Sequence, residues 1–352
     1  MSESSATLPT ACVVATLLWW LPQGGYSTSY LLGWLSCALM TYVVLEMTAQ
    51  NALLRIRSRM VSSLLLLVMA AVGLLHPLRT GTLLLLCLVL SVYYLLRTCD
   101  AERPEADTMR AHTCLSVGSV LWPPLLLLEP VLLWCQGVFL RSLSRRSFGA
   151  VVIGLALPYA LWASAAFALD AMPAFVQHTT AIIAPALEPF YWQWTVELAQ
   201  TTDWPGFVDG FAERVVPLVL SHPTASVALA FTLLLAFTGD VHYLRKSYDD
   251  KIRVRMCYYS IMLLQAVIAL WIVLQPHYFS LLFPLLMFAS VPAAAHFIAL
   301  THTWLSNAWV VMLLLLLLAV GVTTLVLPLY LPWPQPSSDL PLAFFDSLSI
   351  PF

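Results

Sequence analysis

The sequence predicts an all-α, polytopic transmembrane protein of about nine spans plus a re-entrant helical hairpin, in one membrane domain over residues 1–330. Three observations carry this expectation. Of 352 residues, 61% are hydrophobic and only 10% charged, against roughly 45–50% and about 25% in soluble domains. Mean hydropathy is +0.85. The apolar residues fall in runs near the ~20 that a helix needs to cross about 30 Å of hydrocarbon with every backbone polar group satisfied internally. A disordered chain is excluded, because disorder needs low hydrophobicity and high net charge. With 16 Lys and Arg against 18 Asp and Glu, the chain also lacks the basic face that nucleic-acid binding requires.

The first span, 6–22, ends on Pro22-Gln23-Gly24-Gly25. The first basic residue is Arg55, so a positive n-region is missing and this run is expected to stay as a membrane segment. The second span is 28–48, the third is 60–76, ending at His76-Pro77, and the fourth is 80–97. A charged loop leads to the run 113–140, which Trp122-Pro123-Pro124 and Glu129-Pro130 interrupt. Proline removes a donor and clashes with the preceding turn, so two half-helices fit better than one crossing. The next span is 148–169. A polar, aromatic external stretch fills 170–223, and its part 189–220 is read as amphipathic helices on the outer leaflet. Spans at 224–242, 257–275, 279–300 and 307–330 follow, and a Pro- and Ser-rich external tail, 331–352, is expected to be only partly ordered.

Charge sets the orientation. With the N-terminus in the cytoplasm, the C-terminus outside and 113–140 as a hairpin, every basic residue except Arg79 and Arg214 is cytoplasmic. A single crossing by 113–140 would instead put Lys251, Arg253 and Arg255 outside. Arg55-Ile56-Arg57-Ser58-Arg59-Met60 also matches Lys251-Ile252-Arg253-Val254-Arg255-Met256. Each copy precedes a span that ends at a proline, so 28–97 and 224–300 read as a parallel internal repeat. Convergence on the same topology signals explains the match equally well. The basic side chains Arg55, Arg57, Arg59, Lys251, Arg253 and Arg255 suit anionic lipid headgroups.

Ionisable residues in a membrane are costly and therefore functional candidates. Glu129 stands alone in a leucine run. It reads as a proton carrier, as a partner for Arg141 or Arg146, or as an acid favouring the N-terminus of a half-helix at Pro130. Glu46, Asp240 and His242 lie near the cytoplasmic ends of their spans, where Gln50, Asn51, His296 and His302 could complete a polar cluster. The simpler reading pairs them with nearby arginines. The external acids Glu188, Glu197, Asp203, Asp209 and Glu213 are candidates for a substrate-facing lid, or belong to a structural collar.

Other chemistries lack a motif. Neither a phosphate-binding GxxxxGK[ST] loop nor an HExxH or GxSxG sequence is present. The eight histidines form no HxxxH cluster, and the seven cysteines no CxxC or other metal-ligand spacing. No cofactor or metal is expected.

The segments NALLRIRSRMVSS, HTCLSVGSVLWPPLLLLEPVLLW and SRRSFGAVVIGLALPY combine a small-residue segment, an aromatic-proline break, an apolar run, a basic-aromatic turn and a Gly…Pro helix. In this the chain resembles a family of polytopic bacterial inner-membrane proteins of unknown function. The resemblance spans about 28–330 and implies a helical inner-membrane protein. It carries packing and topology signals and no catalytic residue. Three functions stay open: a transport or envelope-assembly component without its own chemistry, a transferase acting on a lipid or lipid-linked glycan at the external face, and a non-catalytic scaffold. Membrane lipids are the expected partners, with envelope proteins of unspecified identity. A reporter-fusion scan is expected to place residues 245–255 in the cytoplasm, and an external signal there would refute the hairpin.

Overall fold

A computed structural model describes residues 7–20, 28–54, 58–72, 76–187, 205–206, 208–210, 213, 223–300 and 304–326. Among them the secondary structure is helical, with no strand. The helices are α1 (Thr7–Trp20), α2 (Thr28–Asn51), α3 (Met60–Ala71), α4 (Thr80–Arg97) and α5 (Glu105–Leu121). A 3-10 turn (Pro123–Leu128), α6 (Glu129–Trp134) and a π-turn (Cys135–Phe139) come next. Then follow α7 (Arg145–Ala168), α8 (Met172–Thr180), α9 (Ala184–Leu187), α10 (Pro223–Lys246), α11 (Ile252–Leu274), α12 (Phe279–Leu300) and α13 (Trp304–Val326).

Six helices among the described residues are long and apolar enough to cross a membrane: α2, α4, α7, α10, α11 and α12. Of the other three expected spans, 6–22 and 60–76 coincide with the shorter apolar helices α1 and α3, and 307–330 overlaps α13, which contributes the short apolar stretch Asn307–Val322. At about 1.5 Å per residue, the 14 residues of α1 and the 12 of α3 fall short of the hydrocarbon thickness. Large apolar side chains stay exposed along α2 (Leu31, Leu35, Leu39), α7 (Ile153, Leu157, Leu161) and α13 (Leu315, Leu318). These faces suit lipid, which wets what water would not.

Helix α12 forms the centre. It is apolar on all sides, and every residue from Leu281 to Phe297 is buried, as expected of a helix with no polar face. Helices α3, α4, α10 and α11 pack around it. Small residues allow the closest approach. A Cβ on Gly239 of α10 would lie 2.5 Å from the Ala294 nitrogen and 2.7 Å from the Ala293 carbonyl carbon, so the two backbones touch there.

The chain doubles back between α5 and α7. Gly154 lies against Met109 and Thr113, Ser116 Oγ donates to the Leu155 carbonyl at 2.8 Å, and Ser119 Oγ is 2.9 Å from the Tyr159 hydroxyl. Residue numbers rise together along both helices, so α5 and α7 run parallel. The segment between them must therefore return. It does so through the extended Trp122 (φ −143°, ψ 100°), the 3-10 turn, α6 and the π-turn. Ser142 Oγ then reaches Thr98 Oγ1, 2.9 Å away, at the end of α4. The ascending arm starts at Glu105, eight residues before the expected 113. It takes Glu105 and Asp107 into its first turn, where acids favour the helix dipole.

Charge divides the bundle by its ends. Arg253 bonds to Asn51 at 3.4 Å and Tyr258 to the Leu53 carbonyl at 3.1 Å. Arg97 pairs with Asp107 at 3.3 Å. These contacts gather the end of α2, the end of α4 and the starts of α5 and α11 at one end. All described Arg and Lys residues except Arg79 lie there. The repeat expectation meets a local difference. Met60 opens α3, whereas its counterpart Met256 sits a turn inside α11, and α3 has 12 residues against 23.

Helices end by the left-handed conformation at non-glycine residues: Ala52 (φ 48°), Asp100 (φ 58°), Arg141 (φ 50°) and Asp170 (φ 54°). Asp tolerates this geometry by local hydrogen bonding. Close packing at the two glycines generates a stability prediction. Gly154→Ala or Gly239→Ala should each lower stability by about 1–3 kcal/mol through overpacking. Gly149→Ala, with nothing within 4 Å, should be neutral or gain up to about 1 kcal/mol. Thermal unfolding in detergent reads all three.

Candidate functional site

The doubled-back segment holds a buried imidazole–carboxylate pair. His112 on α5 and Glu129 at the start of α6 meet with Nδ1 and Oε1 2.7 Å apart. His112 is fully buried and Glu129 is 7% exposed. The two atoms are within ion-pair distance, but the ring N–H is not aligned with the oxygen for a hydrogen bond. All four polar atoms of the pair, His112 Nδ1 and Nε2 and Glu129 Oε1 and Oε2, are without a hydrogen-bond partner among the described residues.

Helical spacing builds the surroundings. Thr108, His112, Ser116 and Ser119 recur at three- and four-residue intervals and share the buried face of α5. Glu129, Leu132 and Gln136 do the same on the returning segment. The Thr108 hydroxyl and both amide atoms of Gln136 are buried without a hydrogen-bond partner among the described residues. Since most buried polar groups in proteins are satisfied, this concentration of open donors and acceptors marks the segment as chemically unusual. The face continues at Ser119, which also donates to the Ser116 carbonyl at 2.7 Å. His178 of α8 lies beyond it, against the backbone of Ser119 and Val120 and 4.5 Å from the Trp162 ring centre.

Glu129 is thus placed in the first turn of α6, as the helix-terminus reading expects, but without a side-chain capping bond. Its partner is His112 rather than Arg141 or Arg146, both of which are exposed at the charged end. His112 was not among the expected site residues. It sits 17 positions away in sequence, and only the return of the chain brings it to Glu129.

The polar cluster expected near the charged end assembles in part. His242 and His296 rings are 5.9 Å apart. His296, fully buried, lies 3.4 Å from Asp250 Oδ2. The Tyr243 and Tyr258 rings stack at 4.1 Å beside His296. Asn51 meets Arg253. Asp240 goes elsewhere, accepting from Gln265 Nε2, and Glu46 accepts from Gln50 on its own helix. Asp250 and Gln265 also escaped sequence reasoning, because a loop acid and a glutamine amid leucines carry no motif. His302 lies outside the described residues.

Arg59, Lys251 and Arg253 are exposed at the charged end and Arg255 is half-buried, while Arg55 and Arg57 lie outside the described residues. Cys99, in the connection after α4, is held below the usual thiol range by the Cys257 thiol, which opposes the effect of burial. Of the acids expected to be external, Asp209 and Glu213 are exposed, and Glu188, Glu197 and Asp203 lie outside the described residues, as does most of 189–220 and the tail 331–352. Among the described residues no three His, Cys, Asp or Glu side chains converge as a metal-binding group. A cavity of about 230 Å³ opens between α1, α2 and α3, lined mainly by apolar side chains such as Leu8, Trp19, Trp34 and Leu45. No residue of α5 or α6 lines it.

The chain matches no family model, no curated protein and no solved structure. The buried pair makes an energetic prediction of its own. Removing one partner leaves the other buried and unpaired, at a cost of about 3–5 kcal/mol, whereas replacing both by apolar residues is close to neutral. His112→Leu and Glu129→Leu should each destabilise the protein, and the double variant should recover most of the loss. A double-variant melting temperature below both singles would contradict this.

Proposed function

We propose that this chain is a multi-pass protein of the bacterial inner membrane, N-terminus inside and C-terminus outside, and that it acts as a transport component. In this reading α1, α3 and α13 complete the nine spans, and α5 with residues 123–139 is the re-entrant hairpin. The carrying observation is the buried His112–Glu129 pair, with open polar atoms, in a segment of broken helices. Transporters place their sites where helices are interrupted, because unwound backbone and half-helix ends supply polar groups at membrane depth. The basic end supports the orientation, since Lys and Arg are retained on the cytoplasmic side.

The same architecture serves an envelope-assembly component that moves or holds a lipid-linked partner. The transferase reading needs two converging external carboxylates. Asp209 and Glu213, the two described, are both exposed, and no observation favours that reading. The scaffold reading would leave the buried pair without a task.

Transport requires a water route to the hairpin. With the seven native cysteines replaced, a single cysteine at Gln136 should react with a membrane-impermeant thiol reagent from an aqueous side. It should react faster than a cysteine at Ile153, on the lipid-facing side of α7. Inertness from both sides in a folded protein would overturn the transport reading.

A further inference from the structure

We infer that the His112–Glu129 pair binds a proton and passes it on, so that the proton is an ion this chain moves. The inference rests on the transport reading above and names the ion for that site.

The geometry is that of a relay with two open ends. With Glu129 ionised and His112 neutral with its hydrogen on Nδ1, that nitrogen stands 2.7 Å from Oε1, and a rotation of the ring or the carboxylate aligns the N–H with the oxygen. Nε2 then carries a lone pair that has no partner among the described residues. A proton arriving at Nε2 forms an N–H bond and makes the ring an imidazolium. The Nδ1–H bond breaks as its hydrogen crosses to Oε1 and forms an O–H bond. The result is a neutral imidazole with its hydrogen on Nε2 and a neutral carboxylic acid. The pair has gained one proton, and its charge has gone from −1 to 0. Release from the Glu129 carboxyl restores the carboxylate. Ring rotation or exchange with water returns the imidazole hydrogen to Nδ1. Imidazole suits this task because its two nitrogens trade donor and acceptor roles near neutral pH.

Polar groups continue from the pair in both directions along α5. Thr108 is one turn towards the charged end, and its hydroxyl is open. Asp107, bridged to Arg97 and Arg110 at 3.3 and 3.0 Å, stands at that mouth. Ser116 and Ser119 lie one and two turns the other way, and Tyr159 meets Ser119. From Thr108 to Ser119 this face covers about 16 Å at 1.5 Å per residue, roughly half the hydrocarbon thickness.

Few other groups compete for the proton. The elements packed against the pair are α4, α7, α11 and the 3-10 turn with the π-turn. Their titratable side chains are Cys87, Tyr93 and Tyr94 on α4, Tyr159 on α7, Cys257, Tyr258 and Tyr259 on α11, and Cys135 in the π-turn. Their formal charges sit at the basic end: Arg97 on α4, Arg145 and Arg146 on α7, and Arg253 and Arg255 on α11. Glu129 is the carboxylate of α6, and no acid lies on α4, α7 or α11. A purely structural lock would close its hydrogen bonds, since a half-satisfied buried network is costly. Here Nε2, Oε2, Gln136 and Thr108 stay open among the described residues.

The test uses the full-length protein in proteoliposomes with an entrapped pH dye and a valinomycin-set potassium potential. Infrared titration of the same samples follows the carboxyl C=O band. Wild type should carry protons faster than empty vesicles and show a protonated-carboxyl band whose intensity depends on pH. Glu129→Gln should remove the band, and both Glu129→Gln and His112→Gln should slow the flux about a hundredfold, with elution from gel filtration unchanged. Glu129→Asp keeps a carboxyl and should keep a titrating band at a shifted midpoint, which separates lost chemistry from lost folding. Wild-type flux no faster than empty vesicles, or a band indifferent to Glu129→Gln, overturns the proposal. If Gln136 is reached from water yet no Glu129 band titrates, the proton assignment alone falls. If Gln136 is unreachable, the transport reading falls with it.

Discussion

Gly154 lets the backbone of α7 lie against that of α5, and the serine contacts at Ser116 and Ser119 hold the two helices in parallel register. Two consecutive parallel helices cannot be joined by a short turn. Their connection has to travel the length of the pair, and residues 122–142 do so in three short pieces. Each piece has its cause in the sequence. Pro123 and Pro124 end α5, Pro130 suits the first turn of α6, and the widened π-turn releases the chain to Ser142. The site is a by-product of this return, because the path that carries Glu129 downward brings it past His112.

Much of this was legible in advance, and the reasons for the gaps are physical. Glu129 stood out because it is a single acid in a leucine run, with no basic neighbour in sequence. His112 did not, because its value depends on a contact made across a reversal of the chain. The same holds for Asp250 with His296, joined across the start of α11. Span limits failed in a consistent direction. Reading ends by apolarity started α11 at 257 and the hairpin at 113, whereas the helices start at Ile252 and Glu105. Charged residues are tolerated in a first turn, where long side chains reach the interface. At the other extreme, the apolar run after Met60 continues past Ala71, but the backbone turns extended at Val72 (φ −102°, ψ 100°). Apolarity measures solvent preference and does not record where hydrogen bonding stops.

The charge pattern and the packing pattern meet at different ends of the molecule. At one end, guanidinium and ammonium groups surround α2, α4, α5, α7, α10 and α11. At the other, aromatic and proline contacts take over: Trp122 stacks on Trp271 at 5.5 Å, Trp19 on His76 at 4.3 Å, and Gly81 lies against the Ser280 carbonyl. Gln275 donates to the Pro185 carbonyl at 2.6 Å, which ties the α8–α9 region to α11. The buried pair sits on elements that touch both regimes.

Helix α12 has a consequence for how the protein is made. It is the core of the bundle, yet it begins at Phe279, far along the chain from α3 and α4, which it covers. Synthesis at about 5–20 residues per second delivers it on the order of ten seconds or more after α4. During that interval α3 and α4 have α1, α2 and α5 as partners, and the faces that α12 later covers are left to lipid. The early helices therefore wait as an open shell, and the last large apolar helix but one closes it.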